Sequence, residues 1–159
     1  MNLTKPELRQ RLKAKRLALS QAERAAKSGL IVQKLREAID WSDVDSVHIY
    51  EPLLDLGEVD VSKFTSSALF FTSRKVDGDW RVVPIKGSAQ VPDNFEVIIV
   101  PMLGFDSSLH RIGYGGGYYD KFLATQPTAK KIGVCFAEGR VESLPAEPHD
   151  IKLDMVITD

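Results

Sequence analysis

Val97-Ile98-Ile99-Val100 is an unbroken apolar run, and Pro101-Met102-Leu103-Gly104-Phe105-Asp106 follows it directly. A run with no polar face predicts a strand buried on both sides, the pattern of a parallel sheet covered by helices. Working outward toward the N-terminus, Trp80-Arg81-Val82-Val83, Leu69-Phe70-Phe71-Thr72 and Ser46-Val47-His48-Ile49-Tyr50 read as further strands. Asp77-Gly78-Asp79 supplies turn chemistry before the first of these. Toward the C-terminus, Lys131-Ile132-Gly133-Val134-Cys135-Phe136 and Met155-Val156-Ile157 complete the set.

Helical patterns flank the strands. Thr4-Lys5-Pro6-Glu7 has the form of a capping box and opens a helix over residues 5–19, with Leu8, Leu12 and Leu19 as its apolar stripe. Ser20-Gln21-Ala22-Glu23 opens a second over residues 21–40, with Ile31, Leu35 and Ile39 inward and Gly29 weakening it slightly. A third is expected from about Gly117 to Thr125. Neither a repeat nor a low-complexity tract nor a linker divides the chain, so residues 1–159 are read as a single domain. Buried strands mixed with helices give an α/β sheet with helices on its faces. Such sheets bind ligands beyond the carboxyl ends of their strands.

That position belongs to Arg111-Ile112-Gly113-Tyr114-Gly115-Gly116-Gly117-Tyr118-Tyr119-Asp120, with glycine at four of the five positions from 113 to 117. Glycine brings no side chain to a core and costs backbone entropy to order, so the run makes sense where backbone must approach a ligand. Successive N–H groups in glycine-permitted conformations form a concave nest for phosphate oxygens. Arg111 adds a planar cationic fork, and Asp120 a hard oxygen able to hold magnesium. The run is not a Walker A loop, lacking the closing Gly-Lys-Ser/Thr, and Tyr118 stands where a dinucleotide fingerprint needs its third glycine. A flexible linker would favour glycine with serine, and this run has no serine.

Composition is ordinary for a globular protein, with 43% hydrophobic and 27% charged residues. Cys135 is the only cysteine, which excludes an intrachain disulfide, fits a reducing compartment and reads as a small core residue. No apolar run reaches the roughly 18–20 residues of a membrane span, and Met1-Asn2-Leu3-Thr4-Lys5-Pro6 lacks the apolar region of a signal peptide. A cytoplasmic monomer without a membrane partner is expected. The net charge of −1 is unevenly spread: residues 1–36 hold ten Lys/Arg and two Asp/Glu, the remainder eleven and twenty. A basic end beside an acidic body predicts an anionic ligand there. Nucleic acid is not expected, because no aromatic-interleaved basic surface accompanies the charge.

Pro101 to Asp106 followed by Arg111 to Lys121 resembles the signature of the 5-formyltetrahydrofolate cyclo-ligases, also called 5,10-methenyltetrahydrofolate synthetases. Lys5-x-x-x-Arg9 is similar to that family's opening motif, and Pro148-His149-Asp150-Ile151-Lys152-Leu153-Asp154 to its closing one. The resemblance implies a three-layer α/β/α sandwich with a Rossmann-like, mostly parallel sheet and a helical N-terminus. It implies cyclisation of 5-formyltetrahydrofolate to 5,10-methenyltetrahydrofolate with ATP and Mg²⁺, giving ADP and phosphate. Carried onto this chain, it places Lys5, Arg9, Arg111, Ile112, Gly113, Tyr114, Gly115, Gly116, Gly117, Tyr118 and Tyr119 around the nucleotide. It gives Arg111 and Tyr118 catalytic roles and Asp120 and Asp150 the metal. It sets Leu53, Glu58 and the Tyr114–Tyr118 stretch against the folate, with Glu51 and Asp55 as competing carboxylates.

Lys13 and Arg16 continue the stripe of Lys5 and Arg9, and both are expected at the surface. His48 sits inside a predicted strand, His110 beside the glycine run and His149 beside Asp150; no spacing makes a zinc site, and His110 and His149 read as satisfied loop histidines, with donation to a phosphate as the alternative. The segment from Ser62 to Pro92 departs from the resemblance, being short and lacking a full helix, with Lys86-Gly87-Ser88-Ala89-Gln90-Val91-Pro92 in place of a Gly-Ile-x-Glu-Pro-like element. A trimmed relative that binds nucleotide or folate without turnover is the alternative.

Overall fold

The computed structural model describes residues 2–159; Met1, the first residue of the stretch read for a signal peptide, lies outside the described residues. Helices α1 (Lys5–Ala18) and α2 (Gln21–Ala38) both start at complete capping boxes, Thr4 with Glu7 and Ser20 with Glu23. In each, the side-chain oxygen takes an N3 amide while the N3 carboxylate takes the N-cap amide, so two otherwise orphaned donors are satisfied. The last two residues expected in the second helix lie outside it, and Ile39 packs against the core as its extended cap.

Strands β1 (Ser46–Ile49), β2 (Leu69–Val76), β3 (Asp79–Pro84), β4 (Val97–Pro101), β7 (Lys130–Val134) and β8 (Met155–Ile157) form one sheet in the order β3-β2-β1-β4-β7-β8. All neighbours are parallel except the β2–β3 hairpin. That hairpin turns on Asp77 and Gly78 at φ 53° and 88°, where the second position suits glycine. The apolar run Val97–Val100 is buried at every position. Val97 and Ile99 pack with Ile31 and Leu35 of α2, while Ile98 and Val100 pack with Leu123 of α3 (Tyr118–Ala124). A helix on each face of a mostly parallel sheet is the expected three-layer α/β/α arrangement.

A separate pair, β5 (Gly104–Phe105) and β6 (Arg111–Ile112), packs Leu103 and Ile112 against Leu8 and Leu12 of α1. Asp106 holds the loop between them, its carboxylate accepting from the amides of Ser108, His110 and Leu144 and contacting the His110 ring. Among the described residues, the connection from β1 to β2 contains only a 3₁₀ turn, Leu54–Leu56, in place of the helix such crossovers usually carry. The chain leaves β1 toward β2 on one side and later returns to β4 on the other. Tyr50 and Pro101 therefore flank the point where strand order reverses.

His48 of β1 is fully buried beside the rings of Phe95, Tyr119 and Phe122. Burial pushes its pKa from the ordinary 6.5 down to about 4. The unfolded chain then binds more protons than the native one between those values, so stability is complete above the unfolded pKa and is lost as pH falls toward 4. Going from about pH 7.5 to about pH 5 should remove about 2 kcal/mol through this residue. Urea unfolding of wild type and His48→Phe at both pH values checks this; an equal acid loss in both would show that His48 is not its source.

Candidate functional site

The first helix aims its cations at the glycine run. Arg9 donates through Nε to the Gly113 carbonyl at 3.0 Å. Lys5, one turn earlier, places Nζ 3.2 Å from Asp150 and 3.5 Å from Glu147. Lys13 is exposed as expected, its ammonium 5.6 Å from the Tyr114 ring centre. Arg16 corrects the expectation: it is not at the surface but only 7% exposed. It donates to the Leu56 carbonyl at 2.7 Å and to the Tyr114 hydroxyl at 2.5 Å. Leu8, Leu12 and Arg16 follow one another at i+4 on the buried face of α1, which is the signal in the sequence that Arg16 would not be free.

The glycine run bends because its glycines permit it. Gly115 and Gly117 stand at φ 100° and 71°, while Gly116 between them does not. A Cβ on Gly113 would lie 2.7 Å from Arg111 Nη2, and one on Gly115 would lie 3.2 Å from Arg9 Cζ. The loop is thus closed upon two guanidinium groups. Among the described residues, none accepts a hydrogen bond from the amides of Gly113 to Gly117, leaving a row of donors for a ligand. The Arg111 side chain is 7% exposed, 3.4 Å from Asp120 and 5.6 Å above the Tyr119 ring. Burial lowers its pKa, yet an arginine keeps its charge at any ordinary pH.

Opposite the loop stands Glu58, a carboxylate only 6% exposed. One of its oxygens accepts from the Leu53 amide at 2.7 Å and the other from the Tyr114 hydroxyl at 2.9 Å. Tyr114 therefore links Arg16 to Glu58, and burial raises its pKa, so its proton stays. Of the competing carboxylates, Glu51 is paired with Arg74, and Asp55 is exposed away from the cavity.

Lys5 and Arg9, the glycine run and Glu58 surround one cavity of about 850 Å³ at the carboxyl ends of the central strands. Lys5, Arg9, Leu53, Glu58, every residue from Arg111 to Asp120, and Asp150 line it. The β2–β3 hairpin adds Thr72, Ser73 and Trp80, which sequence reasoning did not select; Trp80 packs 5.1 Å from the Tyr118 ring. Asp120 is held by Arg111, whereas Asp150 lies with Glu147 and His149, the three offering ligand atoms within 4.8 Å of one another. Burial works to raise the Asp150 pKa, but the Glu147 amide hydrogen bond and the Lys5 ammonium outweigh it and hold the carboxyl low. Carboxylate oxygens facing a shared cavity are the hard donors that magnesium takes. His149 is exposed beside Glu147 at 3.0 Å, and His110 rests on Asp106.

Residues 78–159 match the family model described as the 5-formyltetrahydrofolate cyclo-ligase family. A 5-formyltetrahydrofolate cyclo-ligase of Mycoplasma pneumoniae is 28% identical over 166 aligned residues, 99% of this chain and 99% of its own. A solved 5,10-methenyltetrahydrofolate synthetase from Mycoplasma pneumoniae superposes with a TM-score of 0.84 at 25% identity, covering 99% of each chain. One from Aquifex aeolicus, at 24% identity, shares the fold with a TM-score of 0.82 over 98% of this chain and 89% of its own.

Proposed function

The chain belongs to the 5-formyltetrahydrofolate cyclo-ligase family of ligases, and from that premise we propose that it closes 5-formyltetrahydrofolate to 5,10-methenyltetrahydrofolate using ATP, with release of ADP and phosphate. The observation that carries this is the continuity of the cavity. The unpaired amides and guanidinium groups of the glycine loop share one space with the Glu58–Tyr114 pair. A nucleotide's phosphates and a folate ring can meet there.

The chemistry needs a poor leaving group made good. Transfer of the γ-phosphoryl to the formyl oxygen gives an iminium phosphate; the N10 amine attacks the formyl carbon, and the oxygen departs with phosphate. No protein nucleophile is required, so the chain's work is positioning and charge neutralisation. Arg111, Lys5 and Arg9 face the phosphates, and the amides of Gly113 to Gly117 donate to their oxygens. Glu58 receives the N–H edge of the pterin, with Leu53 beside it. Asp120 and Asp150 would hold Mg²⁺, which when bound neutralises phosphate charge. Burial pushes the lone Cys135 thiol up to about 12, so it stays inert.

The compact segment before β4 does not favour a binder without turnover. The Mycoplasma pneumoniae cyclo-ligase aligns along 99% of both chains, so a protein of similar extent carries that name. Purified protein with ATP, Mg²⁺ and 5-formyltetrahydrofolate should produce the near-ultraviolet absorption of the methenyl product. Calorimetric binding of both substrates without that absorption would leave only the binding role.

A further inference from the structure

We propose that His48 and Ser73 are positioning residues that hold the Tyr118 hydroxyl as a hydrogen-bond donor facing the cavity. The inference rests on the cyclo-ligase reading only for the nature of the acceptor, an oxygen of the bound folate or of the phosphoryl group moving to it.

Three elements bring the groups together. His48 of β1 and Ser73 of β2 lie on the sheet face covered by α3, and Tyr118 is the first residue of that helix. His48 Nε2 is 2.8 Å from Ser73 Oγ, and Ser73 Oγ bonds the Tyr118 hydroxyl. Ser73 and Tyr118 both line the cavity, whereas His48 is sealed beneath it.

The direction of this chain follows from its buried end. His48 Nδ1 is buried without a hydrogen-bond partner, among the rings of Phe95, Tyr119 and Phe122. A buried N–H with no acceptor is costlier and rarer than a bare lone pair, and an N–H over an aromatic ring is only second-order compensation. The proton therefore sits on Nε2 and is donated to Ser73 Oγ. With Nε2 donating, the Tyr118 oxygen is the one acceptor left for the Ser73 hydroxyl among the described residues, and Ser73 donates its proton there. Tyr118 is left with its O–H free to point at a ligand. The opposite tautomer would reverse every bond and turn that hydroxyl back toward Ser73.

Two further observations agree. Burial keeps His48 neutral at ordinary pH and raises the Tyr118 pKa, so the hydroxyl keeps the proton it is to donate. The Tyr118 ring is fixed between Trp80 at 5.1 Å and Phe122 at 5.9 Å, the latter nearly parallel at 13°, so only its hydroxyl rotor was left to be set.

The test has a ligand-free arm and a kinetic arm. Nitrogen-15 resonances of the His48 ring in the purified protein should show the Nε2-protonated tautomer; the Nδ1-protonated form would overturn the proposal whatever the enzyme catalyses. In the kinetic arm, Ser73→Ala should lower kcat about 10- to 100-fold with the nucleotide KM unchanged. Tyr118→Phe should do the same, and the double variant should lose no more than either alone. Ser73→Thr, which keeps the hydroxyl, should recover most of the rate. Losses that multiply independently, or a Ser73→Ala variant with a lower melting point and normal kcat, would refute the positioning role. Absence of product from the wild type would count against the cyclo-ligase reading alone, since the tautomer is read without substrate.

Discussion

Gly115→Val is expected to lower turnover by about 10²–10³-fold, comparable with removing a positioned charge stabiliser. Two effects combine at this position. Gly115 has φ 100°, a conformation in which a β-branched residue is strained by roughly 1–3 kcal/mol. A Cβ there would also sit 3.2 Å from Arg9 Cζ and 3.3 Å from its Nη1. The guanidinium would be pushed away, and with it the 3.0 Å bond from Nε to the Gly113 carbonyl that shapes the loop. The run is not core, so the variant should fold, and circular dichroism should match wild type while the absorbance assay fails. Near-normal turnover would mean that the loop is not where phosphate is gripped.

Gly116 separates ligand contact from backbone strain in the same experiment. Its φ is not in the left-handed region, and a Cβ there would meet no protein atom within 4 Å. Gly116→Ala should therefore leave the melting point alone. If nucleotide comes close to this backbone, the nucleotide KM should still rise, by about tenfold. An unchanged KM would place the phosphates elsewhere along the loop.

What the sequence made legible was local. Both capping boxes lie within four residues, and the apolar run at Val97–Val100 needs no partner to be recognised. The glycine run announces a bend wherever it falls in space. What stayed hidden depends on partners far along the chain. Lys5 meets Asp150 across 145 positions, and Arg16 meets Tyr114 across 98. A cation on a helix reads as solvated until a hydroxyl and a carbonyl are brought against it, as the Tyr114 hydroxyl and the Leu56 carbonyl are once α1 packs beside β5 and β6. Those two strands are two residues each, too short to show a period. Ser73 was invisible for a related reason: a serine in a strand carries no signal until His48 lies on one side and Tyr118 on the other.

Arg111→Lys should cost about 10²-fold in kcat/KM although it preserves charge. The side chain is nearly sealed, so the replacement must work within the space the guanidinium now fills. Arg111 uses its plane in two ways at once, reaching Asp120 at 3.4 Å while lying 5.6 Å above the Tyr119 ring. Its Nη2 would lie 2.7 Å from a Cβ on Gly113, which sets the arginine against the first bend of the loop. A lysine is a single point charge on a flexible stem. It can pair with Asp120 or lean toward a phosphate, but it cannot present parallel N–H groups while stacked. The fold should persist, because the pairing of Ile112 with Gly104 and the packing around Asp106 do not involve the guanidinium. The loss should appear mainly in kcat, where charge develops on the transferred phosphoryl, with a smaller change in nucleotide KM. A variant with wild-type kcat would show that a positive charge alone suffices at this position and that the planar fork plays no part in the reaction.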